Sequence, residues 1–242
     1  MQFIAQYRET ANAARSDYVR QLTRLWPVIE SLAAKDARLA EWFLQGNSEE
    51  DARLYSVYEA PGTPSTAILA VLTEQYRGED NLAKTIGIWN GQSAKKDGAS
   101  LSLGFDTGSM PCDFDLSLGE ESTTSSRLGD FESVGQIVAA VAAAYAPAYV
   151  TVAPRKYASK QVFDDKPGVG WMLYLPRVIT QQQVPEAHAL IPVPADGKQT
   201  GTIIVSVTDT TFSVDNPEHI ETANRIEIRL VDQDLLPAFA DL

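Results

Sequence analysis

Residues 168–177, GVGWMLYLPR, constrain the fold of this chain more than any other stretch. Trp171 to Leu175 is apolar almost throughout, the pattern of a strand covered on both faces rather than of one with a wet side. The β-branched run within Gly201 to Val207 reads as a neighbouring strand. Asn216 then precedes Pro217, as a helix N-cap precedes a proline at the first helical position, where the missing N–H has no intrahelical partner to lose. Glu218 and Glu221 fall in the first turn, where the helix dipole favours negative charge. Ile220, Ala223, Ile226 and Leu230 recur on one helical face, although RIEIRLV also alternates as a strand does. Together these stretches predict a buried strand, its neighbour and a capped helix over them, with Trp171 to Leu175 as the central strand. No nucleophile, base or metal ligand converges on them.

The rest of the chain supplies further elements. Met1 to Tyr7 reads as a first strand with Phe3 and Tyr7 on one face. Tyr18, Leu22, Leu25, Trp26, Ile29, Leu32 and Ala33 have the spacing of one helical face, and Pro27 within it predicts a kink or two abutting helices. Gly46-Asn47 breaks the chain after Trp42 and Phe43, and Ser48 is placed to cap a short helical turn. PGTPST, Pro61 to Thr66, is a second break, and Ser65 or Thr66 opens a helix through Ile68, Leu69, Leu72 and Tyr76. Thr85 to Asn90 and Ser100 to Phe105 form a hairpin across a polar turn. Cys112 to Leu118 alternates Phe114, Leu116 and Leu118 with Asp113, Asp115 and Ser117, a strand with one wet, acidic face. Gly119 to Gly129, rich in Ser, Thr and Glu, is the best candidate for a flexible boundary.

Asp130 or Ser133 caps a helix through Val134, Ile137, Val138, Val141 and Ala142 that stops before Pro147. Ala148 to Val152 reads as a strand, YASKQVF as a short helix, DDKPGVG as a turn, and Gln181 to Asp196 as a Gln- and Pro-rich connection. With no strict βαβ repeat and no Gly-rich nucleotide loop, the order favours an α+β fold: a mixed, mostly antiparallel sheet with helices packed on it. The chain is expected to be one domain over residues 1–242, with a two-lobed split near 119–130 as the alternative.

Charge narrows the partners. Thirty-two Asp and Glu against twenty Lys and Arg leave a net charge of -12, which repels phosphate backbones and anionic lipid heads, so neither nucleic acid nor membrane is expected. The same charge favours a basic protein partner, or serves solubility alone. The single cysteine, Cys112, excludes an intramolecular disulfide framework and a cysteine zinc site and fits a reducing compartment. MQFIAQYRET lacks the features of a secretory leader, and no apolar run reaches membrane-spanning length, so a cytoplasmic location is expected.

Little in the chain suggests reaction chemistry. The two histidines, His188 and His219, have no second histidine at metal-binding spacing and read as structural, so no metal and no cofactor is expected. Cys112, before an alternating strand, reads as a small buried residue rather than a nucleophile. Asp106-Thr107-Gly108 reads as a turn, because no second such loop exists to complete an aspartic-protease pair. Acidic groups at Glu49-Glu50-Asp51, Asp113 with Asp115, Glu120-Glu121 and Asp164-Asp165 read first as solvated surface, and second as docking points for a basic partner. Trp26 and Trp171 are expected in the core, and Trp89, beside Asn90-Gly91, nearer the surface.

The N-terminal helix with its LAEWFLQG continuation, GVGWMLYLP, GTIIVSV, NPEHIETANRIE and LLP resemble the immunity protein 52 family, over most of the chain as a pattern of elements. The resemblance implies a non-enzymatic, cytoplasmic inhibitor of a cognate toxin, one with a restriction-endonuclease-type nuclease domain delivered by type VI or polymorphic toxin systems. It offers no catalytic residue, cofactor or small-molecule ligand. The expected toxin contacts are Glu49, Glu50, Asp51, Trp89, Asp113, Asp115, Glu120 and Glu121. A secretion adaptor or chaperone and an unrelated cytoplasmic enzyme are the competing readings.

Overall fold

The computed structural model of the chain describes residues 1–9, 17–46, 48–78, 83–122, 124–195 and 197–242, apart from the side chains of Glu49 and Ala195. Asn47, at the first break read above, and Asp196, at the end of the Gln- and Pro-rich connection, lie outside the described residues. Alternation dominates the first half: β1 (Gln2–Tyr7) buries Phe3, Ala5 and Tyr7 and leaves Gln2, Ile4 and Gln6 half-buried on the other face. After α1 (Tyr18–Ala33) come the short β2 (Phe43–Leu44), α2 (Glu49–Ala52), the hairpin β3 (Tyr58–Ala60) and β4 (Thr63–Pro64), and α3 (Thr66–Gln75). The meander β5 (Lys84–Trp89), β6 (Ala99–Phe105) and β7 (Cys112–Leu118) follows, then α4 (Phe131–Tyr145) and β8 (Tyr149–Ala153). The chain ends with β9 (Met172–Leu175), β10 (Ala189–Ala195), β11 (Lys198–Val205) and α5 (Pro217–Asp232).

Nine strands form one sheet in the order β10-β11-β9-β8-β1-β7-β6-β5-β2, and every neighbouring pair of strands runs antiparallel. The fold is α+β. The middle place belongs to β1, which pairs with β7 on one side and β8 on the other and joins the meander to the C-terminal strands. The expectation that Trp171 to Leu175 is central is thereby corrected. All four residues of β9 are buried, but β9 lies third from an edge: a continuously apolar strand reports cover on both faces, not position in the order.

Helix boundaries follow their caps. Asp17 accepts from the Arg20 N–H at the start of α1, Asp130 from the Ser133 N–H at 2.8 Å, and Asn216 from the Glu218 N–H at 3.0 Å. α1 runs unbroken through Pro27, not as two abutting helices. Pro27 is exposed, so the carbonyl its ring leaves without an amide donor lies near water. α5 continues through RIEIRLV, which excludes the strand alternative there. Two other expectations change. The connection 181–196 contains β10, hidden by Pro192 and Pro194; it is an edge strand, the one place in a sheet where prolines fit, with an irregularity at Val193/Pro194. The short helix falls at Arg155–Ser159 as a 3-10 turn, starting two residues before YASKQVF.

α1, α3 and α4 place Leu22, Leu25, Ile29, Ile68, Leu72, Ile137 and Val141 in one core with the inward side chains of the strands. Trp171 is 2% exposed and donates its indole N–H to the Val207 carbonyl at 2.9 Å. Trp26, expected in the core, is half-buried, edge-on to Tyr58 with centroids 4.9 Å apart, whereas Trp42 is the buried tryptophan of this region at 2% exposure. On the opposite side of the sheet, the 3-10 turn Arg155–Ser159 and residues 161–168 sit over Thr151 and Ala153, and α5 packs on that segment.

The GVGW stretch is where these layers meet. Gly170 has φ +53°, and a Cβ there would lie 2.5 Å from that of Ala153, so only glycine fits. Next to it the Val169 N–H donates to Glu227 of α5 at 2.9 Å. Glu227 is 1% exposed and also accepts from the Tyr157 hydroxyl and from the Val162 N–H at 2.8 Å. Burial pushes its carboxyl pKa up, against the three hydrogen bonds that favour the ionised form.

Candidate functional site

The outward face of β5, β6, β7 and β1 is partly open to solvent, with Thr85 and Asp113 exposed. Three rows cross it in register: Thr85, Gly104, Asp113, Gln6; Gly87, Ser102, Asp115, Ile4; and Trp89, Ser100, Ser117, Gln2. None of these residues is buried, while their neighbours along each strand are. Period-2 alternation produces this face, as expected for an antiparallel sheet packed on one side. Apart from Trp89 and Ile4 its residues are small or polar, and no row contains a lysine or arginine.

Asp113 and Asp115 are the charged groups of the rows. The Asp115 carboxylate accepts twice from Gln2 Nε2, at 3.0 and 2.8 Å, and Asp113 accepts from Gln6 Nε2 at 3.2 Å. Both partners are neutral amides, and among the described residues neither carboxylate pairs with a cation. The negative charge of the face is therefore uncompensated locally.

Of the other expected contacts, Trp89 ends the third row and the rest lie around this face rather than on it. Glu50 and Asp51 are exposed on α2, where Asp51 accepts from the Ser48 hydroxyl at 2.7 Å; the Glu49 side chain lies outside the described atoms. Trp89 is half-buried, with the Arg53 guanidinium 5.8 Å from its ring centroid and its indole N–H without a hydrogen-bond partner among the described residues. Glu120 is turned to its own loop, accepting from the Ser126 hydroxyl at 3.0 Å and the Arg127 N–H at 2.9 Å. Glu121 pairs with Lys96 at 2.7 Å in solvent. That loop is anchored by Arg127, whose guanidinium bonds Asp36 at 2.6 Å with both side chains under a tenth exposed. Burial acts to raise the Asp36 pKa, but hydrogen bonds from Arg38 and Arg127 outweigh it and bring it down to about 2.

His219, Cys112 and Asp106-Thr107-Gly108 take structural roles. His219 Nδ1 accepts from the Ser213 N–H at 3.0 Å, and burial lowers its pKa, which keeps it a neutral acceptor. His188 is exposed. Cys112 is 3% exposed beside Thr107, and burial raises its thiol pKa, away from a reactive thiolate. Asp106-Thr107-Gly108 is a turn, with φ 55° and 68° at its ends and the Met110 N–H bonded to the Thr107 carbonyl. Among the described residues no group of three or more His, Cys, Asp or Glu could hold a metal ion, and no helix is long and apolar enough to cross a membrane.

The sequence profile described as Immunity protein 52 matches residues 5–239, nearly the whole chain. The chain belongs to the immunity protein 52 family. No curated protein matches it. Among solved structures it is similar to the Pseudomonas aeruginosa T6SS protein PA0821, with a TM-score of 0.53 over 95% of this chain and 75% of that one, at 11% sequence identity. At that identity the likeness is one of fold. GVGWMLYLP and NPEHIETANRIE are held together where the Val169 N–H donates to Glu227 of α5. Sequence reasoning missed Gln2 and Gln6 as the partners of Asp115 and Asp113, and Ser100 and Ser102 as their neighbours on the face; the alternation of SLSLGF with CDFDLSL carried the signal for the serines, but the place of β1 beside β7 did not show in it.

Proposed function

We propose that this immunity protein 52 member binds and neutralises a cognate secreted toxin of DNase type, delivered by a type VI system, through stoichiometric protein–protein inhibition in the cytoplasm. The observation that carries this reading is an open sheet face whose carboxylates lack cationic partners, in a member of an immunity family. A nuclease must present a basic groove to DNA and hold divalent metal between carboxylates, so an acidic inhibitor can occupy the DNA path without touching the metal. Glu49, Glu50, Asp51, Trp89, Asp113, Asp115, Glu120 and Glu121 are the proposed contact set, with the chain acting as one unit over residues 1–242.

Co-expression with the toxin encoded beside its gene tests the proposal. Cells should grow and keep intact chromosomal DNA only when the immunity protein is present. Poisoned cells containing soluble immunity protein would refute it, whereas loss of toxin export without self-poisoning would support an adaptor instead.

A further inference from the structure

The sheet offers a partner its face more readily than its edges. β10 carries Pro192 and Pro194, and β2, at the other edge, has only two residues. Short strands and prolines blunt an edge against strand addition. The face of β5, β6, β7 and β1 has neither obstacle. Four strands at a spacing of about 4.8 Å span about 14 Å, and an α-helix with its side chains measures roughly 10–12 Å across. Gly104, Ser100 and Ser102 keep the relief low, and borders rise on both sides: the Gln45 side chain over Gly87 and Trp89 under Arg53 at one, and the 3-10 turn carrying Arg155 at the other.

Charge selects the occupant. Asp113 and Asp115 project from alternate residues of one strand, about 7 Å apart, and their only described side-chain partners besides the Ser117 hydroxyl are the amides of Gln2 and Gln6. A lysine or arginine brought to this floor would meet two carboxylates and no competing cation within the rows. We propose that Thr85, Ser100, Ser102, Asp113, Asp115 and Gln6 form the floor on which a lysine- and arginine-bearing helix of the toxin docks. This rests on the immunity reading above and adds where the toxin binds and by what chemistry. The floor covers about 180 Å² on these spacings, under a quarter of the roughly 800 Å² each partner buries in a standard interface, so it is the centre of the contact and its borders are the rim.

The test uses the full-length chain and the purified nuclease domain of the toxin encoded beside its gene, with affinity measured by biolayer interferometry at two salt concentrations. Ser102→Arg places bulk and positive charge mid-floor, and Asp113→Lys reverses an exposed charge. Glu132→Lys, on the exposed side of α4, makes the same change in net charge on the far side of the sheet. Ser102→Arg should weaken binding roughly a hundredfold and Asp113→Lys roughly tenfold, the latter through slower association and with a flatter salt dependence, while Glu132→Lys should bind as wild type. Melting temperatures report folding, and Thr85→Arg, at an exposed position, replaces Ser102→Arg if that variant fails to fold. Wild-type affinity in both floor variants, or equal weakening in Glu132→Lys, would overturn the docking surface and leave the immunity reading standing. If the wild-type chain does not bind the nuclease domain at all, both fall.

Discussion

Replacing Glu227 tests the contact that fixes α5 to the GVGW stretch. Its carboxylate is 1% exposed and receives three donors: the Tyr157 hydroxyl, Val162 N–H and Val169 N–H. Val162 is 40% exposed, so its amide can turn to water, but Val169 and Tyr157 are at most 3% exposed. Glu227→Ala therefore strands the buried Val169 N–H at about 1–3 kcal/mol, leaves the Tyr157 hydroxyl only Asn224 Oδ1 at 3.2 Å, and empties buried side-chain space, partly offset because the carboxylate no longer needs to be desolvated. A net loss of about 3 kcal/mol lowers the melting temperature of a domain this size by about 6–12 °C. Glu227→Gln should cost less, about 1–2 kcal/mol, because the amide oxygen keeps Tyr157 and Val169 while the NH₂ faces the Val162 N–H. Burial raises the folded pKa above the unfolded one, so this group's contribution is fully present below the unfolded pKa and is lost as pH rises through the folded value. The advantage of wild type over Glu227→Gln should accordingly shrink as pH rises. Calorimetry from acid to neutral pH reads both effects; a Glu227→Ala melting temperature within about 2 °C of wild type would refute the reasoning.

Gly170→Ala should destabilise by roughly 2–4 kcal/mol in urea denaturation, combining the left-handed backbone with the clash at Ala153. Asn216→Ala removes the cap from α5 and should cost about 1 kcal/mol, seen as faster amide exchange in its first turn. The depressed pKa of Asp36 gives the opposite pH sign from Glu227: its stabilisation is present above the unfolded carboxylate pKa and lost as pH falls toward about 2. Arg127→Met should weaken that acid dependence, measured as the slope of stability between about pH 4 and pH 2.

Local patterns carried most of the architecture. Alternation marked β1 and β5 to β7, caps at Asp130 and Asn216 marked α4 and α5, and the acidic face of β7 followed from CDFDLSL. Strand order was not legible, because no local pattern tells β1 that its neighbours are β7 and β8. β10 was hidden because its prolines break the strand signature for the same reason they suit an edge. Trp26 is half-buried rather than in the core because helical periodicity places a residue on a face without saying what lies against it. Glu227 left a trace: it falls four residues after Ala223 and three before Leu230, on the apolar face of α5, and a charged residue there signals a buried partner. Arg127 left none, since its partner Asp36 is distant in sequence. The outward face was half legible, through Asp113 and Asp115, and completed only by Gln2 and Gln6 from across the sheet.

The central claim is inhibition by stoichiometric binding, and titrating the immunity protein into a fixed amount of the purified cognate nuclease while following DNA cleavage tests it most directly. Binding predicts that cleavage falls linearly and stops at a fixed molar ratio, with both proteins recovered intact in one complex. Loss of nuclease activity at far below one equivalent, or undiminished cleavage at excess, would contradict it.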